Sequence, residues 1–333
     1  MDDYTVISSL YYCDSFLISL TKLPNAQHGL SRLRSLHCEA CLPSEFFFGL
    51  AEICHNIKEI ELECGCIESN GLNALVKTQK KGLISFSLSS HVSMPLLVNV
   101  LSNKVNTLKH LKFSGHYRMP LTIFAKSPLE SLTVKSYERV RKEYFEPLTL
   151  NLVQKLWKLE LNLVGLPIES LVIIVRNSGT TLREIYLQWS YVSDKHNSPA
   201  LFTSIAENCT QLNSLSIPVN SKTILKLDEI TCSNPHLKNL TLHGDTMPGY
   251  KIDISEGIVK LANSGFIPKK LEYLHFSHDN TLKDVDALDI FFSNAKTILT
   301  KPLKFKANED LVEGKFIQNY NNIIAKHFIK QQF

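Results

Sequence analysis

The chain has 333 residues, 44% of them hydrophobic, and a formal net charge of +4 with both signs well mixed. Such a content supports a substantial interior, and the modest charge points to neither nucleic acid nor a membrane surface as partner. The acidic start Met1-Asp2-Asp3 lacks the basic region of a signal peptide. No apolar run reaches the roughly 18 residues that a membrane helix needs, so a cytoplasmic or nuclear location is expected.

In chain order, the segment Tyr4 to Leu20 is apolar and reads as the remains of an upstream repeat. Residues 1–32 are therefore expected to be a partial repeat or cap, with Met1 inside an ancestral array. From Leu33 a phrase L-x-x-L-x-L returns. It reads Leu33/Leu36/Cys38, Ile57/Ile60/Leu62, Leu83/Phe86/Leu88, Leu108/Leu111/Phe113 and Leu129/Leu132/Val134. It continues as Leu156/Leu159/Leu161, Leu182/Ile185/Leu187, Leu212/Leu215/Ile217, Leu237/Leu240/Leu242 and Leu271/Leu274/Phe276. Start-to-start spacings are 24, 26, 25, 21, 27, 26, 30, 25 and 34 residues, inside or near the roughly 20–29-residue period of leucine-rich repeats.

The last four residues of each phrase alternate apolar and variable, the period of a half-buried strand. A single such strand cannot bury its apolar side, but stacked strands can. Parallel strands need a crossover between them, and the intervening segments read as helices. These are Ser44–Cys54, Ser69–Lys77, Pro167–Val175, Pro199–Cys209 and Ser221–Ile230, while Pro120–Lys126 leaves room only for a stub or loop. The expected fold is α/β: one leucine-rich-repeat solenoid, a horseshoe with a parallel concave sheet, outer helices and about ten to eleven irregular repeats over 33–306. The irregularity follows from length variation and from the turn position, where only Cys41 and Asn220 keep the Asn or Cys of strict repeats. At the C-terminus, Pro302–Phe305 reads as one more strand. An apolar stripe from Phe316 to Phe328 then predicts a capping helix from about Asn308 to Lys330, within 307–333.

Six cysteines crowd the first 66 residues: Cys13, Cys38, Cys41, Cys54, Cys64 and Cys66, with His37 and His55 nearby. A zinc site is conceivable there. The preferred reading is structural, with Cys38 inward on a strand and Cys54, like Cys209, three residues before a repeat phrase. Two sequons, Asn208-Cys-Thr and Asn239-Leu-Thr, would matter only in a secreted chain. No nucleophile elbow, phosphate loop, dinucleotide fingerprint or zinc-protease helix is present, so no catalytic residue, cofactor or metal is expected and the chain is not read as an enzyme. The Asp284/Asp286/Asp289 group reads as the solvated face of a helix.

Alternation also fixes the residues that leave the sheet. They form a polar strip with few large aliphatics. The candidate partner-binding residues on it are Glu59, Glu61, Glu63, His110, Lys112, Lys158, Glu160, Glu184, Tyr186, Gln188, His243, Tyr273 and His275. The three glutamates repel one another unless a basic partner or a neighbouring Lys or Arg compensates. Tyr186, with Trp189 and Tyr191 beyond it, is the best aromatic anchor.

Phrases such as ICHNIKEIEL (53–62), NCTQLNSLSI (208–217), NPHLKNLTL (234–242) and GLNALVKTQKKGLISFSL (71–88) resemble the fungal F-box proteins with degenerate leucine-rich repeats. The resemblance covers nearly the whole chain. It implies a protein-binding module, the substrate-recognition part of an F-box-type (SCF, cullin-RING) ubiquitin ligase, with a protein substrate on the concave face. An F-box in that family docks a Skp-type adaptor. Here residues 1–32 hold no such element. Leu42-Pro43-Ser44-Glu45 looks like an F-box opening but is read as an ordinary repeat helix. The F-box would then be lost or lie upstream. The alternative is a stand-alone leucine-rich-repeat scaffold, and in either case a monomer.

Overall fold

A computed structural model describes residues 5–10, 25–65, 69–90, 95–115, 127–139, 154–165, 168–190, 198–244, 252–277, 280–307, 311 and 317–328. The chain forms two compact units, Met1–Leu156 and Trp157–Phe333. Both are α/β leucine-rich-repeat stacks.

The first unit carries strands β1 (Thr5–Leu10), β2 (Leu33–Glu39), β3 (Glu59–Gly65), β4 (Ser85–Ser90), β5 (His110–Gly115) and β6 (Ser131–Arg139). They lie in chain order in one sheet, each parallel to the next. Its helices are α1 (Ala26–Leu30), α2 (Ser44–Ile53), α3 (Asn70–Thr78) and α4 (Pro95–Ser102). The second unit carries β7 (Lys158–Val164), β8 (Glu184–Ser190), β9 (Ser214–Val219), β10 (Asn239–Gly244), β12 (Tyr273–Phe276) and β14 (Lys304–Ala307), again parallel and in order. A separate parallel pair joins β11 (Ile252–Asp253) to β13 (Asn280–Thr281). The helices are α5 (Ile168–Ser178), α6 (Ser198–Asn208), α7 (Leu227–Ser233), α8 (Ser255–Asn263), α9 (Asp286–Ile298) and α10 (Ile317–Phe328), with a short 3₁₀ turn at Ile224–Lys226.

The repeat phrase builds the interior. Every apolar residue of the ten phrases is buried, none more than 4% exposed. The register stacks them: Leu36, Ile60, Phe86, Leu111 and Leu132 are direct neighbours in the first unit. In the second, Leu159, Ile185 and Leu215 are followed by Leu240, Leu274 and Phe305. Phe305 thus holds the place of the second Leu in β14, as the sequence pattern implies. Helix side chains such as Phe46, Phe47 and Leu50 close the interior from the other side. At Gly71 a Cβ would overlap the carbonyl of Ser44, so only glycine lets the starts of α2 and α3 approach.

The helices from Ser44, Ser69 and Pro199 fall where the spacing puts them, within a residue at either end, and the one from Pro167 runs three residues further, to Ser178. Ser69 caps α3 by accepting from the Leu72 amide at 3.3 Å. The segment from Ser221 splits into the 3₁₀ turn and α7. The Pro120–Lys126 stub lies outside the described residues, as do 11–24 of the N-terminal segment. Asn220 keeps its turn role: its side-chain oxygen accepts from the amides of Lys222 and Thr223 at 3.0 and 2.9 Å. Cys41 Sγ donates to the Glu39 carboxylate at 3.3 Å.

Two buried amides not foreseen from the pattern stitch successive repeats. The Gln79 side chain accepts from the Ile57 amide at 2.8 Å and donates to the carbonyls of Cys54 and Leu75. Asn234 accepts from the Leu212 amide at 2.9 Å and donates to Ile230. Each thereby satisfies a buried backbone group of the preceding repeat.

The aspartate group is not simply a solvated face. Asp289 on α9 accepts from Lys326 Nζ at 2.8 and 2.9 Å and bonds His327 Nε2 at 2.7 Å, both on α10. The His327 ring also packs on Phe292 at 5.4 Å. These contacts dock α10 on α9. Of the expected helix 308–330, residues 308–310, 312–316 and 329–330 lie outside the described residues. No described helix is long and apolar enough to cross a membrane.

Replacing Ile185 with Ala should cost about 2–5 kcal/mol by urea unfolding, because it leaves a cavity between β7 and β9. A second expectation concerns acid. The Lys326 ammonium, with His327 adding, holds the Asp289 carboxyl below its usual range. Its contribution is therefore full above the ordinary Asp value of about 4 and is lost as pH falls through the lowered value. Asp289→Asn should melt below the wild type at neutral pH, and the gap should close in strong acid. A gap independent of pH would refute the ionic origin.

Candidate protein-interaction surface

In each unit the side chains leaving the sheet fall into ranks set by the strand register. In the first unit one rank reads Ser35, Glu59, Ser85, His110 and Ser131, and the next reads His37, Glu61, Ser87, Lys112 and Thr133. In the second unit the first rank is Lys158, Glu184, Ser214, Asn239, Tyr273 and Lys304. The next is Glu160, Tyr186, Ser216, Thr241, His275 and Lys306. Gln188 stands beside Asn162, and His243 beside Pro218.

Polar side chains within the sheet meet two of the three glutamates of β3. The Lys112 ammonium reaches Glu61 at 3.2 Å and the Ser87 hydroxyl donates to the same oxygen at 3.4 Å. Glu61 and Lys112 stand two strands apart, about 10 Å between backbones. A side chain as small as Ser87 leaves that gap open. Glu63 meets His37 Nε2 at 3.3 Å. Glu59, exposed, has no ion pair among the described residues. His110 lies beside the Lys109–Glu130 pair, closed at 2.7 Å. There the Lys109 ammonium holds the Glu130 carboxyl below its usual range, His110 adding to it.

On the second unit Lys158 lies 3.7 Å from Glu160 and 3.7 Å from Glu184, with its ammonium 5.2 Å from the centre of the Tyr186 ring. These four candidates form one cluster over β7 and β8. Asn162 donates to Gln188 at 3.2 Å, and Ser216 and His243 are bonded at 2.7 Å. Tyr273 and His275 form another cluster on β12, their rings 6.1 Å apart. Burial, with the charge of Lys306 adding, pushes the His275 imidazole below its usual range. The Trp189 side chain and Tyr191 lie outside the described residues.

The polar strip is less open than strict alternation implies. Ser87, Thr133, Ser214 and Ser277 are buried, being small residues among larger neighbours. Lys304 and Lys306 on β14 were not on the candidate roll, although the alternation Lys304-Phe305-Lys306 carries their signal.

The cysteine cluster does not assemble chemistry among the described residues. Cys38 and Cys54 are buried, and burial pushes each thiol up to about 12; Cys209 behaves likewise. Cys54 Sγ donates to the Leu30 carbonyl at 3.1 Å. No three His, Cys, Asp or Glu side chains are placed to hold a metal among the described residues.

No family model and no curated protein matches the sequence. Among solved structures the chain is similar to one described as the crystal structure of the Rad7 and Elc1 complex in yeast, at 16% identity and a TM-score of 0.49. The match covers 84% of this chain and 77% of that one. The leucine-rich-repeat architecture rests on the strands and buried phrases described above.

Lys112→Met should cost no more than about 1 kcal/mol in a urea titration, since both partners of its ion pair are half-exposed. A larger loss would make the bridge to Glu61 a structural element rather than a surface feature.

Proposed function

We propose that the chain is a protein-binding module whose partner docks on the outward face of the sheet, with Tyr186 as its anchor. The observation that carries this reading is the cluster on β7 and β8. There a half-buried tyrosine lies beneath a lysine that is itself held between two carboxylates. Tyrosine offers a large, stiff contact surface with a polar end, the kind of residue that dominates interface energetics. On the next two strands Ser216, Asn239 and Thr241 supply hydrogen-bonding groups of low conformational entropy. On the face of the first unit, taken by itself, Glu59, Glu61 and Glu63 would favour basic residues of a partner, Glu59 most strongly because the other two are met from within the sheet.

The finer reading makes this module the substrate-recognition part of an F-box-type ubiquitin ligase, acting in the cytoplasm or nucleus. It is supported by the resemblance of the repeat phrases. A stand-alone scaffold is favoured by one observation. The F-box-like opening at Leu42–Glu45 leads into α2, whose Phe46, Phe47 and Leu50 are spent inside the repeat stack. Residues 42–53 are therefore not free to dock an adaptor. The domain reading of a partial N-terminal repeat, a repeat array and a C-terminal cap belongs to the same proposal, α10 on α9 being the element that would close the last repeat.

Two measurements separate these possibilities. Co-purification of the chain with a Skp-type adaptor supports the ligase reading, and its failure in a clean reconstitution favours the scaffold. For any partner so obtained, Tyr186→Ala should weaken binding by at least about 2 kcal/mol in calorimetry, the threshold of a hot spot. An unchanged affinity would remove Tyr186 from the interface.

A further inference from the structure

The outward face of the second unit is electrically polar along its strand order. At β7 and β8 two carboxylates, Glu160 and Glu184, flank one ammonium, Lys158. Across β9 and β10 the ranks are neutral: Ser214, Ser216, Asn239 and Thr241. On β12 and β14 the same ranks hold Tyr273, His275, Lys304 and Lys306, with Tyr273 beside Lys304 and His275 beside Lys306. Both lysines are exposed, and neither has an ion pair among the described residues. The nearby Glu272 is engaged chiefly by Lys301 at 2.8 Å, with the charge of Lys304 acting on it more weakly.

We infer that the block Tyr273, His275, Lys304 and Lys306 receives an acidic, extended segment of a protein partner. This rests on the reading of the sheet face as a docking surface and names the chemistry that its last two strands select. Adjacent strands lie about 4.8 Å apart and alternate residues about 6.6 Å apart. The two lysines are therefore spaced to meet carboxylates at alternate positions of an extended chain. The rings of Tyr273 and His275, 6.1 Å apart and inclined at 40°, offer an aromatic contact for the residue between them. Lysines on an edge strand also discourage neutral strands from pairing with it, which favours a charged occupant over indiscriminate association. A nucleic acid fits less well. Glu160 and Glu184 on the same face would repel a polyphosphate running across it, whereas a protein segment can carry acid at one end and base at the other.

The test uses the full chain and a fluorescein-labelled twelve-residue peptide of alternating Glu and Ser with one central Tyr, read by anisotropy. Binding should weaken at least tenfold in K304E/K306E and at least tenfold between low and moderate salt, and should survive in K304R/K306R. Equal affinity for K304E/K306E, absence of peptide binding, or tighter binding of a twelve-nucleotide single strand of deoxythymidine would overturn the inference. If a natural partner depends on Tyr186 but not on Lys304 and Lys306, the docking reading stands and this inference fails. Loss on both substitutions with peptide competition supports the two together.

Discussion

The alternation of a strand, two residues per period, is the constraint on which the rest of this structure depends. It sends Leu36, Ile60, Phe86, Leu111 and Leu132 inward and, by the same step, sends His37, Glu61, Ser87, Lys112 and Thr133 outward. A slip of one residue would exchange the two sets and drive charge into the interior. The apolar phrase is therefore a statement about both faces at once. Because the strands are parallel and in register, the outward set lines up in ranks across the sheet. Side chains far apart in sequence, such as Glu61 and Lys112, become neighbours through nothing more than the repeat length.

That logic explains which parts were legible in the sequence. The ten phrases, the extra strand (read at Pro302–Phe305 and formed two residues later, at Lys304–Ala307) and the helices at Ser44, Ser69 and Pro167 all rest on periodicity within one segment. The outward candidates on β3, β5, β7, β8, β10 and β12 follow from the same count. What escaped depends on contacts between segments. Gln79 and Asn234 look like ordinary surface amides until the fold sets them against the backbone of the repeat before. Asp289 reads as solvated until α10 arrives with Lys326 and His327. The pair β11–β13 is too short for a pattern. The burial of Ser87, Thr133 and Ser214 likewise comes from larger side chains on neighbouring strands.

The treatment of charge differs between the two faces of the problem. The buried amides of Gln79 and Asn234 are neutral, and each uses both of its ends. A charge in their place would carry a desolvation cost that no partner in the interior offsets. The charged groups of the strands are kept on the sheet face, where a half-exposed pair such as Lys112–Glu61 contributes little to stability. Such pairs can be rearranged by a partner at small cost. Stability and recognition are thus carried by different residues of the same strand.

This separation bears on how the face could change without loss of the fold. The inward phrase tolerates only residues of similar size and polarity, since each is packed from both neighbouring strands. The outward ranks have no such restriction. Ser, Thr and Asn at the middle positions make weak demands on their neighbours, and Ser87 matters chiefly because it is small enough to let Lys112 reach Glu61. A larger residue there would separate the two charges and return Glu61 to solvent. Substitution on the face therefore alters the pattern of charge presented to a partner one rank at a time while the stacked interior stays as it is. A repeat architecture permits this because each strand's contribution to the core is local.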